Sequence, residues 1–290
     1  MYKFMAIDLD GTLLNLYGEV SQANQEAIQK AIEKGIQVVL TSGRISTAIE
    51  YIADQIGGGH YFIAGNGTSI YDLQEKKEIF NQCMTKEKVL EIIRICEENS
   101  IYYSVFGENS IIAKSLEYNV LVYNSENAKK APESKTKINL VEDVYSYIKN
   151  SNQQKFPKVT ICDMDQVIFR GIMQKIRQLD DIDVLEVAHM SRKQIKRGTE
   201  NISLQYFYTD ITKKSVNKWN AIQYLIQKLN IQPEEVMAIG DNANDIEMIR
   251  SAGLGVAMGN ASPQVKEIAD LVVRNNDENG VADAIEKAIM

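Results

Sequence analysis

Lys3-Phe4-Met5-Ala6-Ile7-Asp8-Leu9-Asp10-Gly11-Thr12 is the stretch on which the reading of this chain turns. Residues 3–7 form a short apolar run of strand character, and two carboxylates follow at once. In an open parallel sheet, ligands bind beyond the carboxyl ends of the strands, so a strand ending here delivers both carboxylates to the active edge. Their spacing has a chemical use. One carboxylate can attack phosphorus, while its neighbour two residues on protonates the leaving oxygen and later activates the water that cleaves the acyl phosphate. Gly11 permits the turn that brings backbone close to a ligand.

An Asp-x-Asp pair alone is weak evidence, because Asp163-Met164-Asp165 and Asp181-Ile182-Asp183 repeat it in the same chain. Those two pairs read as structural or solvated; the former follows a strand, but Gln166-Val167 stands where Asp8-Leu9-Asp10 is followed by Gly-Thr. At average residue usage of roughly 5–7%, the four specified residues of D-x-D-G-T arise by chance in only a few per thousand chains of this length.

Working outward, the chain alternates strand and helix. Ser21 can cap a helix whose apolar face includes Ala27, Ile28, Ala31 and Ile32, ending at Gly35. Residues 36–40 form a second strand, which runs into Thr41-Ser42-Gly43-Arg44. A helix carrying Ile45, Ala48, Ile49, Ile52 and Ala53 comes next, and 61–64 is a third strand. This βαβα order implies a parallel sheet with right-handed crossovers. The last eighty residues resume the rhythm: a helix over 215–229, Pro233 in a first turn, a buried strand over 236–240, a helix over 244–252, a strand over 254–257, a helix capped by Ser262, and a strand over 271–273.

The middle differs. Helices over 85–99 and 166–179 alternate irregularly with strands at 101–106 and 159–162, and segments 184–189 and 202–208, joined by a polar stretch over 191–200, read as a hairpin or edge pair. The expectation is an α/β fold: a Rossmann-like parallel sheet with helices on both faces, formed by 1–82 and 211–290, into which an α+β domain at 83–210 is inserted.

The second chemical signal is Gly240-Asp241-Asn242-Ala243-Asn244-Asp245, again directly after an apolar strand. Asp241 and Asp245 lie four apart across a strand-to-helix turn, so one can bind a cation directly and the other can bind it or its waters. Asp with Asn as a neutral helper suits a hard Mg²⁺ ion, although a helix cap with first-turn acids explains this segment equally well when it is taken alone. Ser42 could offer its hydroxyl and nearby backbone N–H groups, including those about Gly43, to a phosphoryl oxygen, or could simply cap the helix. A lysine is needed to neutralise developing charge, and on composition Lys213, Lys214 and Lys218 compete for that part.

Composition removes rivals. A net charge of −7 over 290 residues argues against a nucleic-acid footprint, and no stretch is long and apolar enough to span a bilayer. With acidic residues where a signal peptide would stay apolar, a cytoplasmic location is expected. Cys83, Cys96 and Cys162 are scattered and form no disulfide framework or zinc spacing. His60 and His189 are too few for histidine-nucleophile chemistry and read as surface or core. There is no Walker loop, no G-x-S-x-G and no G-x-G-x-x-G after the first strand, which sets aside P-loop, serine-hydrolase and dinucleotide-oxidoreductase readings.

Taken together, Asp8-Leu9-Asp10-Gly11-Thr12-Leu13-Leu14, Thr41-Ser42-Gly43-Arg44, Lys218 and the segment 240–249 resemble, in this order, the four motifs of the haloacid dehalogenase (HAD) superfamily, and more narrowly its Cof-type, subfamily IIB branch. Gly65-Asn66-Gly67, 256–261 and 276–281 add to the likeness. The resemblance implies a Mg²⁺-dependent hydrolase of small phosphomonoesters, acting through an aspartyl phosphate. It makes Asp8 nucleophile and metal ligand, and Asp10 acid/base and backbone ligand. Asp241 becomes the third ligand, Ser42 and Lys218 hold phosphoryl oxygens, and Asn244 and Asp245 support the site. It selects Ser42 over Thr41 and Lys218 over its neighbours, and makes the inserted domain a cap that selects substrate. Trp219 departs from the family, which usually has a small residue there. The alternatives are a phosphotransferase or mutase on the same core, and a non-catalytic ligand-binding protein. The expected partner is a small phosphorylated molecule, with oligomeric state and substrate left open.

Overall fold

The computed structural model describes residues 2–57, 59–108, 110–128, 130–132, 135–185, 191–197 and 200–289. In chain order, the first part contains β1 (Phe4–Asp8), α1 (Gln22–Glu33), β2 (Gln37–Thr41), α2 (Ser46–Gln55), β3 (Tyr61–Ala64), β4 (Ser69–Asp72) and β5 (Lys77–Asn81). The middle contains α3 (Lys86–Glu98), β6 (Tyr102–Phe106), β7 (Ser110–Ala113), α4 (Tyr118–Asn127), β8 (Lys137–Leu140), α5 (Val144–Asn150), β9 (Lys158–Asp163), α6 (Gln166–Ile176), β10 (Ile182–Val184), β11 (Ser191–Arg197) and β12 (Glu200–Lys213). The last part contains α7 (Lys218–Lys228), β13 (Val236–Gly240), α8 (Ile246–Ser251), β14 (Leu254–Ala257), α9 (Pro263–Ile268), β15 (Leu271–Val272) and α10 (Gly280–Ala288).

The chain divides into two compact units, 1–81 with 216–290, and 82–215. The second edge lies five residues beyond the expected 210/211 because β12 continues unbroken to Lys213.

The first unit is built on an eight-stranded sheet, among the described residues, in the order β15-β14-β13-β1-β2-β3-β4-β5. From β15 to β3 all pairings are parallel, and β4 and β5 add an antiparallel ribbon at one edge. Both faces of a parallel sheet are covered, so its strands are apolar throughout rather than alternating. The sequence Phe-Met-Ala-Ile of β1 does this literally: Met5 and Ile7 join Ile28, Ile49 and Ile285 on one side, while Phe4 and Ala6 join Ile222, Leu225 and Met248 on the other. Chain order runs outward from β1 through β2 to β3 in one direction and from β13 through β14 to β15 in the other. The direction of winding therefore reverses between β1 and β13, and the carboxyl ends of these two strands are where such a fold opens a crevice.

Local chemistry sets the helix ends. The Ser21 hydroxyl accepts from the Asn24 N–H to cap α1, and Gly35 closes it with φ +82°. The helix expected over 215–229 starts only at Lys218, because Ser215 takes φ +63° and Asn217 is the cap, accepting from the Asn220 N–H. That expected over 244–252 breaks into a 3₁₀ turn, Ala243–Asp245, followed by α8.

The second unit is a mixed α+β layer, with sheet order β10-β12-β9-β6-β7-β8 and β11 paired to β12. Its core packs Val159, Ile161 and Tyr103 against Ile92, Ile93, Phe169 and Ile148. The polar stretch expected to be a connection is itself strand β11, in register with β12 from Ser191↔Tyr206 to Arg197↔Glu200. A strand at a sheet margin can be polar on both faces, so Ser-Arg-Lys-Gln-Ile-Lys-Arg carries no period-2 signal. Of the segment expected over 184–189, Val184 ends β10, while 186–190, including His189, lie outside the described residues. His60 is exposed, and Asp165 caps α6 by accepting from the N–H groups of Val167 and Ile168. Cys96 and Cys162 are buried free thiols, while Cys83 is half-buried.

On the opposite face of β9, Lys158 Nζ donates to Asp210 Oδ2 at 2.7 Å, and Thr160 Oγ1 donates to Asp210 Oδ1 at 2.6 Å. Both charges are buried. Removing one partner of such a pair strands the other without water. Asp210→Ala is therefore expected to destabilise the protein by about 3–5 kcal/mol in urea unfolding, and Lys158→Met with Asp210→Leu to recover most of that loss.

Candidate active site

Asp8 is the last residue of β1, Ser42 follows β2, and Asp241 follows β13, so three adjacent parallel strands end in the polar groups that the sequence singled out. Lys218 opens α7 and is 1% exposed. Its ammonium Nζ lies 2.5 Å from Asp8 Oδ1 and 2.6 Å from Asp245 Oδ1. Asp8 is 4% exposed and Asp245 is wholly buried. Lys214 is exposed and Lys213 closes β12, so of the three candidate lysines it is Lys218 that faces the carboxylates. Trp219, one step of about 100° further around the helix, turns into the core with Phe4, Ile63 and Ile222 and does not crowd Lys218's partners.

Asp8, Asp241 and Asp245 each present a carboxylate oxygen within 4.8 Å of the others. Their other bonds differ. Asp245 Oδ2 accepts from the backbone N–H groups of Asp241 and Asn242, both at 3.0 Å, while its Oδ1 serves Lys218. Asp241 Oδ1 accepts from Thr12 Oγ1 at 2.9 Å. Gly11 makes that approach possible: it has φ +88°, and a Cβ there would lie 2.5 Å from Asp241 Oδ2. The Gly11 carbonyl accepts from Asn260 Nδ2 at 2.8 Å, which ties the loop after β14 to the first motif.

The second cluster surrounds Ser42, which is buried. Its hydroxyl oxygen accepts from the Arg44 N–H at 3.2 Å, leaving the hydroxyl proton to donate elsewhere. Its carbonyl accepts from the Asn66 N–H at 2.9 Å, and Asn66 Oδ1 accepts from Asn244 Nδ2 at 3.0 Å. Asn66 sits at φ +60°, ψ 28°, and Gly67 follows at φ +106° with the Asn217 carbonyl only 2.1 Å from where a Cβ would be. The Gly-Asn-Gly turn thus brings α7's start against the end of β3, and Asn66 links Ser42 to Asn244. Gly43, partly exposed, lies against the Asn66 side-chain amide, which a Cβ there would meet at 3.0 Å.

Asp10 is the most exposed of the expected catalytic groups, with 37% of its side chain accessible. Arg44 grips it with a two-pronged contact: Nε to Oδ2 and Nη2 to Oδ1, each 2.8 Å. Arg44, Asn66 and Thr12 stand within the sequence motifs, but nothing in their spacing assigns them a role. Their roles depend on partners 34, 178 and 229 residues away, which no local pattern records.

Three carboxylates, Asp8 and Asp245 buried and Asp241 partly so, share one ammonium, which leaves the cluster with surplus negative charge. Burial and the neighbouring Asp245 push Asp8 up to about 7, against the pull of Lys218. Burial, Asp8 and Asp245 together push Asp241 well above the usual carboxylate range. Burial alone would lower Lys218, but Asp245 and Asp8 hold it above the ordinary lysine value. A hard divalent cation is what such an oxygen-only set fits, with Asp8 and Asp241 the members whose oxygens are least committed to the protein.

The chain matches the family model for haloacid dehalogenase-like hydrolases over residues 5–285. It is 30% identical over 289 residues to Phosphatase YwpJ of Bacillus subtilis, covering 97% of each chain. It is 28% identical to the 5-amino-6-(5-phospho-D-ribitylamino)uracil phosphatase YwtE of the same organism, covering 99% and 98%. A solved haloacid dehalogenase-like hydrolase from B. subtilis superimposes with TM-score 0.80 at 26% identity, over 99% of this chain and all of that one. With a full-length match of both sequence and fold, this chain belongs to the haloacid dehalogenase-like hydrolase family.

Proposed function

We propose that this protein hydrolyses small phosphomonoesters with the aid of Mg²⁺, passing the phosphoryl group through Asp8. The reading is carried by one observation: the Asp8 carboxylate and the Lys218 ammonium are in contact at the switch point of the sheet, within reach of Asp241 and Asp245. Phosphatase names among full-length relatives support the substrate class.

Asp8 attacks phosphorus; the P–O bond to the leaving group breaks as the bond to Asp8 forms, and Asp10 gives its proton to the departing oxygen. Water then attacks phosphorus, Asp10 takes its proton, and the bond to Asp8 breaks to release phosphate. Lys218 and Ser42, with the N–H groups about Gly43, hold the phosphoryl oxygens, and Lys218 offsets charge on the transferred group. Asn244 keeps that cradle in register through Asn66. A Mg²⁺ ion held by Asp8, the Asp10 backbone carbonyl and Asp241 would supply charge neutralisation between nucleophile and phosphoryl group. Asp245 contributes by fixing Lys218 and the loop that carries Asp241. Specificity is assigned to the inserted unit, on family resemblance.

Asp8→Asn is expected to lower kcat on p-nitrophenyl phosphate by on the order of 10³-fold or more, with circular dichroism unchanged; normal phosphate release from this variant would remove the nucleophile assignment. EDTA is expected to stop turnover and Mg²⁺ to restore it. Product analysis with a sugar acceptor separates hydrolysis from transfer, because transfer yields a new phosphoester instead of free phosphate.

Asp8 also makes stability depend on pH. The folded protein holds a proton on Asp8 up to about pH 7, whereas the unfolded chain releases it near 3.8. Between these values the folded state binds more protons at Asp8, so Asp8 makes stability fall as pH rises and adds no further fall above about 7. In EDTA, calorimetry is expected to show Tm declining across this window, with a smaller decline for Asp8→Asn. A Tm slope identical in the two proteins would contradict it.

A further inference from the structure

The proposed mechanism gives Arg44 no part, yet this charged side chain touches the acid/base. Its guanidinium engages both oxygens of Asp10 at 2.8 Å, and only 12% of the Arg44 side chain is accessible, against 37% for Asp10. The more enclosed partner is the arginine, so it is the arginine that fixes the carboxylate. Its backbone is held at both ends: the Arg44 N–H donates to Ser42 Oγ at 3.2 Å, and its carbonyl accepts from the Gly65 N–H at 2.9 Å. Asp10 itself lies in a turn, with a backbone bridge to Leu14, where a carboxylate without such a clamp would exchange among rotamers.

A carboxylate has about four lone-pair sites, and a guanidinium fork uses one on each oxygen. The lone pairs outside the fork are those through which the carboxyl group would carry or accept a proton. The planar fork sets the direction in which they point, which an ammonium with its single point of contact cannot do.

We propose that Arg44 is a positioning residue for Asp10: its fork orients the carboxyl plane so that the proton is delivered to the leaving-group oxygen as the P–O bond breaks. This deepens the phosphatase reading and rests on its assignment of Asp10 as acid/base. Through its backbone N–H on Ser42 Oγ, the same arginine also joins the proton donor to the phosphoryl cradle.

The test separates this role from phosphate binding and from folding. Proton donation matters most when the leaving oxygen is strongly basic and least when it is weakly basic. We would measure kcat/KM, which reports steps up to the first irreversible one, for substituted phenyl phosphates from p-nitrophenyl to p-methoxyphenyl and for glycerol 3-phosphate. The proteins would be wild type, Asp10→Asn, Arg44→Gln, Arg44→Lys and the Asp10→Asn/Arg44→Gln double variant.

Arg44→Gln is expected to raise the preference for p-nitrophenyl phosphate over glycerol 3-phosphate by on the order of tenfold or more, steepening the dependence on leaving-group basicity as Asp10→Asn does. The double variant should be no steeper than Asp10→Asn, and Arg44→Lys should fall between wild type and Arg44→Gln. Equal loss on every substrate, an unchanged or shallower dependence, or an Arg44→Lys profile equal to wild type would overturn the proposal while leaving the phosphatase intact. If Asp10→Asn itself fails to steepen the dependence, the acid/base assignment falls and the Arg44 role falls with it.

Discussion

A buried ammonium held between two buried carboxylates organises the first unit. Lys218 Nζ meets Asp8 at the end of β1 and Asp245 in the turn after β13, so one side chain joins the start of α7 to both strands that flank the switch point. A charge this enclosed is tolerable only with its partners in place, because desolvation costs several kcal/mol per ion and is offset only by close opposite charge and hydrogen bonds. The surrounding backbone is built to that requirement. Gly67 admits the start of α7 to within a side chain's width of β3, and Asp245 spends its second oxygen on two backbone N–H groups.

That arrangement divides labour among three carboxylates that look alike in sequence. Asp245 is saturated by protein donors and acts as a brace. Asp241 gives one oxygen to Thr12 and presents the other beside Gly11, and Asp8 gives one oxygen to Lys218. The repulsion among them, with burial, is what raises Asp8 and Asp241 and makes the cluster receptive to a divalent cation. Asp10, in contrast, lies nearer solvent and answers to a different cation, the Arg44 guanidinium. A carboxylate raised by burial and like charge and a carboxylate held by an arginine occupy different environments two residues apart. The turn at Gly11 allows them to diverge.

The parallel core was legible because its strands are buried on both sides and its motifs fall directly after them: Ile7 before Asp8, Leu40 before Ser42 and Ile239 before Asp241 all lie in strands. The inserted unit was less legible. Its strand β11 is a polar sheet margin, defined by backbone pairing with β12 and not by side-chain period, and the ribbon β4–β5 and helix α4 passed without notice. Helix starts slipped where a positive φ at Ser215 or a side-chain bond from Asp245 intervened, since propensity does not contain either.

By itself the sequence determined which residue types stand at the carboxyl ends of the strands, and hence that carboxylates, a serine and glycines are delivered to one edge, because strand position and side-chain chemistry are local properties. Residue chemistry and spacing left Lys213, Lys214 and Lys218 open until the family resemblance chose Lys218; only the tertiary structure placed its ammonium on Asp8, and decided that Asp245 braces where Asp241 remains open and that Arg44 grips Asp10. Each of those outcomes is a contact between segments distant in the chain, fixed by which strands are neighbours in the sheet and by the space that a missing Cβ leaves.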